Sequence, residues 1–164
     1  MILTALRAIA RCLLRASIPY MVTGGQAVLQ YGRPRLTRDV DITVALTPQE
    51  VGRVVEALPQ SVFQSLPEDV EDFVKDTWVL PVEHRETGVR VDLILSATSF
   101  ERKAIENARE IVIEGEAIRY ISPENLVVQK IIAGRGRDLE DARGILEVQG
   151  GEIDRTEIEG AIEA

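Results

Sequence analysis

Three aspartates carry the chemistry open to this sequence. Asp39 and Asp41 stand one residue apart, just ahead of the apolar run Ile42-Thr43-Val44. Asp92 sits inside a second such run, Val89-Arg90-Val91-Asp92-Leu93-Ile94-Leu95. Both stretches are β-branched and apolar, which is the composition of strands. Side chains alternate along a strand, so Asp39 and Asp41 share one face while Val40, Ile42 and Val44 point into the core. Asp92 likewise opposes Val91, Leu93 and Leu95, with Arg90 and Ile94 beside it on its own face. Crowded carboxylates are costly unless a cation, a proton or a basic group compensates them. Mg²⁺ suits the task, being a hard cation that takes one or two carboxylates together with substrate phosphates. If the two strands are neighbours, the three acids can hold two ions about 4 Å apart, a spacing typical of two-metal phosphoryl chemistry. Asp39, Asp41 and Asp92 are therefore the expected metal ligands, for two Mg²⁺ ions.

A seat for a phosphate precedes them. The short apolar run Tyr20 to Thr23 leads into Gly24-Gly25 and then a helical pattern. A turn that opens a helix presents backbone N–H groups and the positive end of a dipole to an anion. Glycine lets that anion approach without a Cβ in the way. Gly24 and Gly25 are the expected cradle. Thr23 could add a hydroxyl, or serve only as strand filler. Arg33, Arg35 and Arg38 lie between cradle and metal strand, where they could offset phosphate charge or line a solvated loop.

A later helix is apolar nearly all round, through Leu126, Val127, Val128, Ile131 and Ile132, and it carries Lys130. Lysine is seldom buried unpaired. Lys130 either snorkels to water or meets a triphosphate or the acid cluster. Asp138 and Asp141, three apart, share a helix face and could pair with Lys130 or Arg137. They stand as nucleotide-site candidates against a purely structural ion-pair role. His84 is the single histidine and lacks partners for a nucleophile or a zinc site, so it is expected to be structural or at the surface. Cys12 and Trp78 are expected in the core.

These residues need a frame. Ile2 to Ala16 has helical spacing, with Arg7, Arg11 and Arg15 on a solvated face. Strands are expected at Tyr20 to Thr23 and Val40 to Ala45. A short helix covers Gln26 to Tyr31, and another begins at Thr47-Pro48, an N-cap followed by a first-turn proline, and runs to about Leu58. Residues 59–76 suggest a loop and a short solvated helix. Hairpins are expected at Trp78 to Arg85 with Val89 to Leu95, and at Ile111 to Ile113 with Ala117 to Ile121. Helices should cover Ser99 to Arg109, Ser122-Pro123 to Ala133, Leu139 to Val148 and a final short segment, with a turn at Gly134 to Arg137. The fold class is α+β (or α/β), a mixed β-sheet flanked by helices. Residues 1–121 form its core and 122–164 a C-terminal helical extension packed on it, within a single domain.

Composition narrows the function. The chain has 164 residues, 45% of them hydrophobic, enough for one packed core. Its net charge of −8 argues against a dedicated DNA-binding protein, while leaving room for a local basic patch. Aromatics are only 4%, so stacking platforms for single strands are lacking. One cysteine excludes an internal disulfide and points to a reducing, cytoplasmic setting. No run is long enough to span a membrane.

Gly24-Gly25, Asp39-Val40-Asp41 and Asp92, in that order, resemble the nucleotidyltransferase superfamily of the polymerase β type. The stretch from Ile121 to Leu146 is similar to the AbiEii-like toxins and related small uncharacterised proteins, through Lys130, the turn with Arg135 and Arg137, and Asp138 with Asp141. Thr37-Arg38-Asp39-Val40-Asp41 matches the same group. The resemblance implies transfer of a nucleoside monophosphate from an NTP to a hydroxyl acceptor, with release of pyrophosphate. In those terms Asp39 and Asp41 bind metal and triphosphate. Asp92 binds metal and activates the acceptor, and Lys130 and Arg38 stabilise phosphates. It also implies a protein or RNA acceptor, toxin-like activity, and an antitoxin or regulator as the candidate partner. Two further readings stand beside it: a catalytically silent binding module in such a pair, and an antibiotic-modifying enzyme whose acidic surface would suit a polycationic drug.

Overall fold

The computed structural model describes residues 1–163. Helix α1 (Ile2–Arg15) buries Leu6, Ile9 and Leu13 and is followed by strand β1 (Tyr20–Thr23) and helix α2 (Gly24–Tyr31). Strand β2 (Val40–Val44) leads through a 3-10 turn (Pro48–Glu50) to α3 (Val51–Ala57). The turn is closed by a capping box in which Thr47 and Glu50 satisfy each other's backbone donors. Next come β3 (Phe63–Ser65), α4 (Val70–Thr77), β4 (Val79–His84), β5 (Arg90–Leu95) and α5 (Ser99–Glu106). A hairpin of β6 (Arg109–Ile113) and β7 (Glu116–Tyr120) precedes α6 (Pro123–Ala133), α7 (Gly136–Gln149) and α8 (Arg155–Glu163).

The seven strands form one sheet in the order β3-β4-β5-β2-β1-β7-β6. It is mixed: β2 runs parallel to β5 and antiparallel to β1, while β1 runs parallel to β7. The central strands are covered on both sides. Val40, Ile42 and Val44 are fully buried on one face, and Thr43 is 1% exposed on the other. The alternation expected for β2 and β5 is therefore present, and it fixes register because a one-residue slip would turn the acids into the core. No helix among the described residues is long and apolar enough to cross a membrane.

Several local expectations change. The expected helix Ser99 to Arg109 ends at Glu106, because Arg109 pairs with Tyr120 in the sheet. Strand β3 was hidden in a stretch broken by Pro59, Pro67 and four acids. The two glycines are the first residues of α2 rather than a turn ahead of it. Of the apolar residues of α6, Leu126, Val127 and Val128 are buried, whereas Ile132 is 68% exposed. The arginines of α1 do not form a freely solvated stripe: Arg7 pairs with Glu114 and Glu116, and Arg11 with Glu116, at the β6–β7 turn. Trp78 caps α4 in a left-handed conformation and is only partly buried against the core, and Cys12 is partly buried there too. His84 is buried, packs on Phe63 with ring centroids 5.2 Å apart, and shares a 2.8 Å hydrogen bond with the Thr87 hydroxyl.

Because Ile42 anchors the apolar face of the strand that bears Asp41, Ile42→Ala should cost about 2–5 kcal/mol of stability by urea unfolding. A loss below about 1 kcal/mol would show that the central sheet is not packed as described.

Candidate functional site

Parallel pairing places Asp41 of β2 directly beside Asp92 of β5. Neighbouring strands stand about 4.8 Å apart, and both carboxylates project from the same sheet face. Asp39 lies one residue ahead of β2 and is exposed, so it approaches the pair from the loop rather than from within a strand. Antiparallel pairing on the other side sets Thr23 opposite Asp41. Thr23 is buried, its hydroxyl lies 3.5 Å from the Asp41 carbonyl, and it lines the cleft beside Gly24.

Gly24 follows at once, and its position shows why no other residue serves. Its φ is +61°, in the left-handed region, and a Cβ there would collide with the Asp41 carboxylate, lying 2.9 Å from Cβ of Asp41. Gly25 is closed in the same way by Thr37, whose Cβ would be 2.8 Å away. The first turn of α2 is thus pressed against the acid strand. It has neither a side-chain cap nor an acidic residue, so its N–H groups are available to an anion.

Electrostatics register the crowding. Burial, then the neighbouring charges of Asp92 and Asp39, push the Asp41 carboxyl above its usual range, and Lys130 and Arg90 offset this in part. Arg90 donates from Nε to Oδ1 of Asp92 at 2.9 Å. Among the described residues no three His, Cys, Asp or Glu side chains gather into a ready-made metal cage. The set fits Mg²⁺ all the same, since that ion keeps several waters and uses one or two carboxylates plus substrate phosphates. Asp41 and Asp92 could supply those carboxylates, with Asp39 as a third oxygen donor.

Across the cleft stands an ionic wall. Lys130 is buried and its Nζ lies 3.3 Å from Oδ1 of Asp138 and 3.1 Å from Oδ2 of Asp141. It does not snorkel. Asp138 also takes Arg135 at 2.6 Å, which holds its carboxyl below the usual range. Asp141 takes a two-point fork from Arg35, both bonds 3.1 Å. The two acids therefore pair with Lys130, one of the two expected partners, and with Arg135 and Arg35 rather than Arg137. Asp138 and Asp141 thereby hold the wall's cations, and Asp138 also lines the cleft. Arg33 pairs with Glu147, away from the acids. Among the described residues, Arg38 and Arg137 make no ion pair.

The cleft between these walls has a volume of about 790 Å³. Five cations face it, Arg35, Arg38, Lys130, Arg135 and Arg137, against three lining carboxylates, Asp39, Asp41 and Asp138. The body is acidic and the cleft is not. Sequence reasoning named Thr37 only within the Thr37-to-Asp41 resemblance and gave it no part in closing Gly25. It noted Arg90 only as a neighbour of Asp92, although the i, i+2 spacing on a strand already put the two on one face.

Residues 2–164 match the family described as nucleotidyl transferase of unknown function (DUF2204), and the chain belongs to that family. The fold is shared with solved nucleotidyltransferases. ANT(2")-Ia in complex with adenylyl-2"-tobramycin is 17% identical, with a TM-score of 0.61 over 98% of this chain and 94% of that one. An antigenic nucleotidyltransferase-like protein from Paracoccidioides brasiliensis is 18% identical, with a TM-score of 0.63 over 98% and 84%. A nucleotidyltransferase from Thermotoga maritima described as putative is 17% identical, with a TM-score of 0.56 over 88% and 92%. No curated protein matches the sequence.

The raised Asp41 carboxyl has a stability consequence. The folded state keeps that proton to higher pH than the unfolded chain does, so stability falls as pH rises through and above the usual carboxylate range. Asp41→Asn removes the cost. Without divalent ions it should raise stability at pH 7 by about 0.5–2 kcal/mol, and the gain should fade as pH falls below that range. Gly24→Ala should do the reverse, costing about 1–3 kcal/mol for the left-handed strain alone. Denaturant titrations of both variants at pH 7 and pH 4 check the pair; equal gains for Asp41→Asn at both pH values would refute the burial argument.

Proposed function

We propose that this chain is a Mg²⁺-dependent nucleotidyltransferase that moves a nucleoside monophosphate from an NTP to a hydroxyl on a protein or RNA acceptor, in a toxin-like role. The observation that carries the reading is the contact of Gly24 with Asp41, with Asp92 in register beside it. It joins an uncapped helix N-terminus to a pair of carboxylates, the two halves that a metal-bound triphosphate needs. The α2 N–H groups would take the β- and γ-phosphates. Asp39, Asp41 and Asp92 would hold two Mg²⁺ ions, which when bound neutralise the triphosphate and favour its cleavage. Asp92 would accept the proton of the acceptor hydroxyl as its oxygen forms a bond to the α-phosphorus and the bond to pyrophosphate breaks. Lys130, Arg38 and Arg137 would balance charge on the transferring and leaving phosphates.

The cationic cleft supports an acceptor that is not a polycation. That separates this chain from ANT(2")-Ia, the structural neighbour solved with adenylyl-tobramycin, and weighs against drug modification.

A second reading rests on the pairing of Lys130, Arg135 and Arg90 with the chain's own acids. Such self-neutralisation suits a catalytically silent module bound to an antitoxin or regulator. Calorimetry separates the two: the enzyme binds an NTP in a Mg²⁺-dependent way, and the module does not.

Asp41→Ala should abolish transfer of label from α-phosphate-labelled NTPs to the protein and RNA fractions of a cell extract, while circular dichroism stays native. Labelling that survives in this variant overturns the mechanism.

A further inference from the structure

The guanidinium of Arg90 occupies an oxygen that the reading above assigns to a metal. Arg90 and Asp92 are two apart on β5 and therefore lie on one face, the face that also bears Asp41. Arg90 Nε donates to Oδ1 of Asp92 at 2.9 Å, and its side chain is half exposed while that of Asp92 is 20% exposed. Among the described residues Asp92 has no other ion-pair partner, whereas Asp138 and Asp141 on the far wall have two each. The remaining groups that face the acids are Asp39, Asp41 and Lys130, and Lys130 is committed to Asp138 and Asp141. Arg90 is thus the cation bonded directly to the acid cluster. It is the first residue of β5, and half of its side chain is open to water.

We propose that Arg90 is a positioning residue that stands in for a divalent cation in the metal-free protein and surrenders Asp92 Oδ1 when the ion arrives. The guanidinium keeps the Asp92 carboxylate aimed beside Asp41 and offsets the repulsion between them. An ion that takes Asp92 Oδ1 must displace the guanidinium, so Arg90 raises the divalent concentration at which Asp92 becomes a ligand. A guanidinium held by this single Nε–H bond is suited to this, because the bond is directional yet gains little net free energy in a half-exposed setting. No bond is made or broken in the exchange. The inference rests on the reading of Asp41 and Asp92 as metal ligands.

The test uses Mn²⁺ alone, without nucleotide, with free ion followed by electron paramagnetic resonance. Arg90→Ala should bind Mn²⁺ about two- to fivefold more tightly than the wild type, the range expected when a half-exposed ion pair no longer competes. Its melting temperature without metal should fall, and Mn²⁺ should restore it. Arg90→Lys, which keeps the charge and loses the Nε–H donor, should fall between the two. In an Asp92→Asn background the substitution at Arg90 should no longer change affinity. Independently, the Arg90 Nε–H signal of ¹⁵N-labelled wild-type protein should lose its hydrogen-bonded shift when Mg²⁺ is added. Equal or weaker Mn²⁺ binding by Arg90→Ala, or an Arg90 signal unmoved by Mg²⁺, overturns the stand-in role and leaves the metal-ligand reading intact. Failure of the wild type to take up any Mn²⁺ overturns both.

Discussion

The constraint on which this molecule depends is the parallel pairing of β2 with β5 that sets Asp41 against Asp92. Two carboxylates on adjacent strands, one of them partly withdrawn from water, form an arrangement that folding alone would not favour. Everything nearby answers it. The opposite face of both strands is purely apolar and locks the register. The residue after β1 has no side chain, because any atom there would strike the Asp41 carboxylate. Cations approach from two sides, Arg90 along the strand and Lys130 from α6. The chain belongs to a nucleotidyl transferase family, and this compensated cluster is where the proposed chemistry is placed.

The distribution of charge matters more than its sum. With a net charge of −8 the chain resembles a protein that would repel phosphates. The cleft reverses this locally, since its lining carries more cations than carboxylates. The body's charge and the cleft's charge thus act in opposite senses on an approaching anion, the first at long range and the second only within the cleft.

Much of this was legible in the chain itself. Alternation of Val40, Ile42 and Val44 against Asp39 and Asp41 announced both strand and face, because a period of two leaves one solution. The mixed sheet followed from hairpins and helices of ordinary length. The short strand β3 was not legible, since three residues between prolines and acids carry no periodicity. Nor was the end of α5, where a sheet partner eleven residues on outcompeted helix continuation at Arg109. The far wall was half legible. Lys130 was conspicuous in an apolar helix, but Arg35 and Asp141 are separated by 106 residues, and nothing local links them. Long-range pairing of polar side chains leaves no pattern in a single sequence, whereas burial of apolar ones does.

The fork from Arg35 to Asp141 has a mechanical consequence. The connection between α2 and β2 spans eight residues, holds Thr37, Arg38 and Asp39, and has no regular structure of its own. Anchored at Arg35 to a buried carboxylate on α7, it behaves as a short tether rather than a free loop. A helix near the end of the described residues thereby restrains a segment from the first quarter of the chain, and the position of α7 bears on that of Asp39 four residues beyond the anchor.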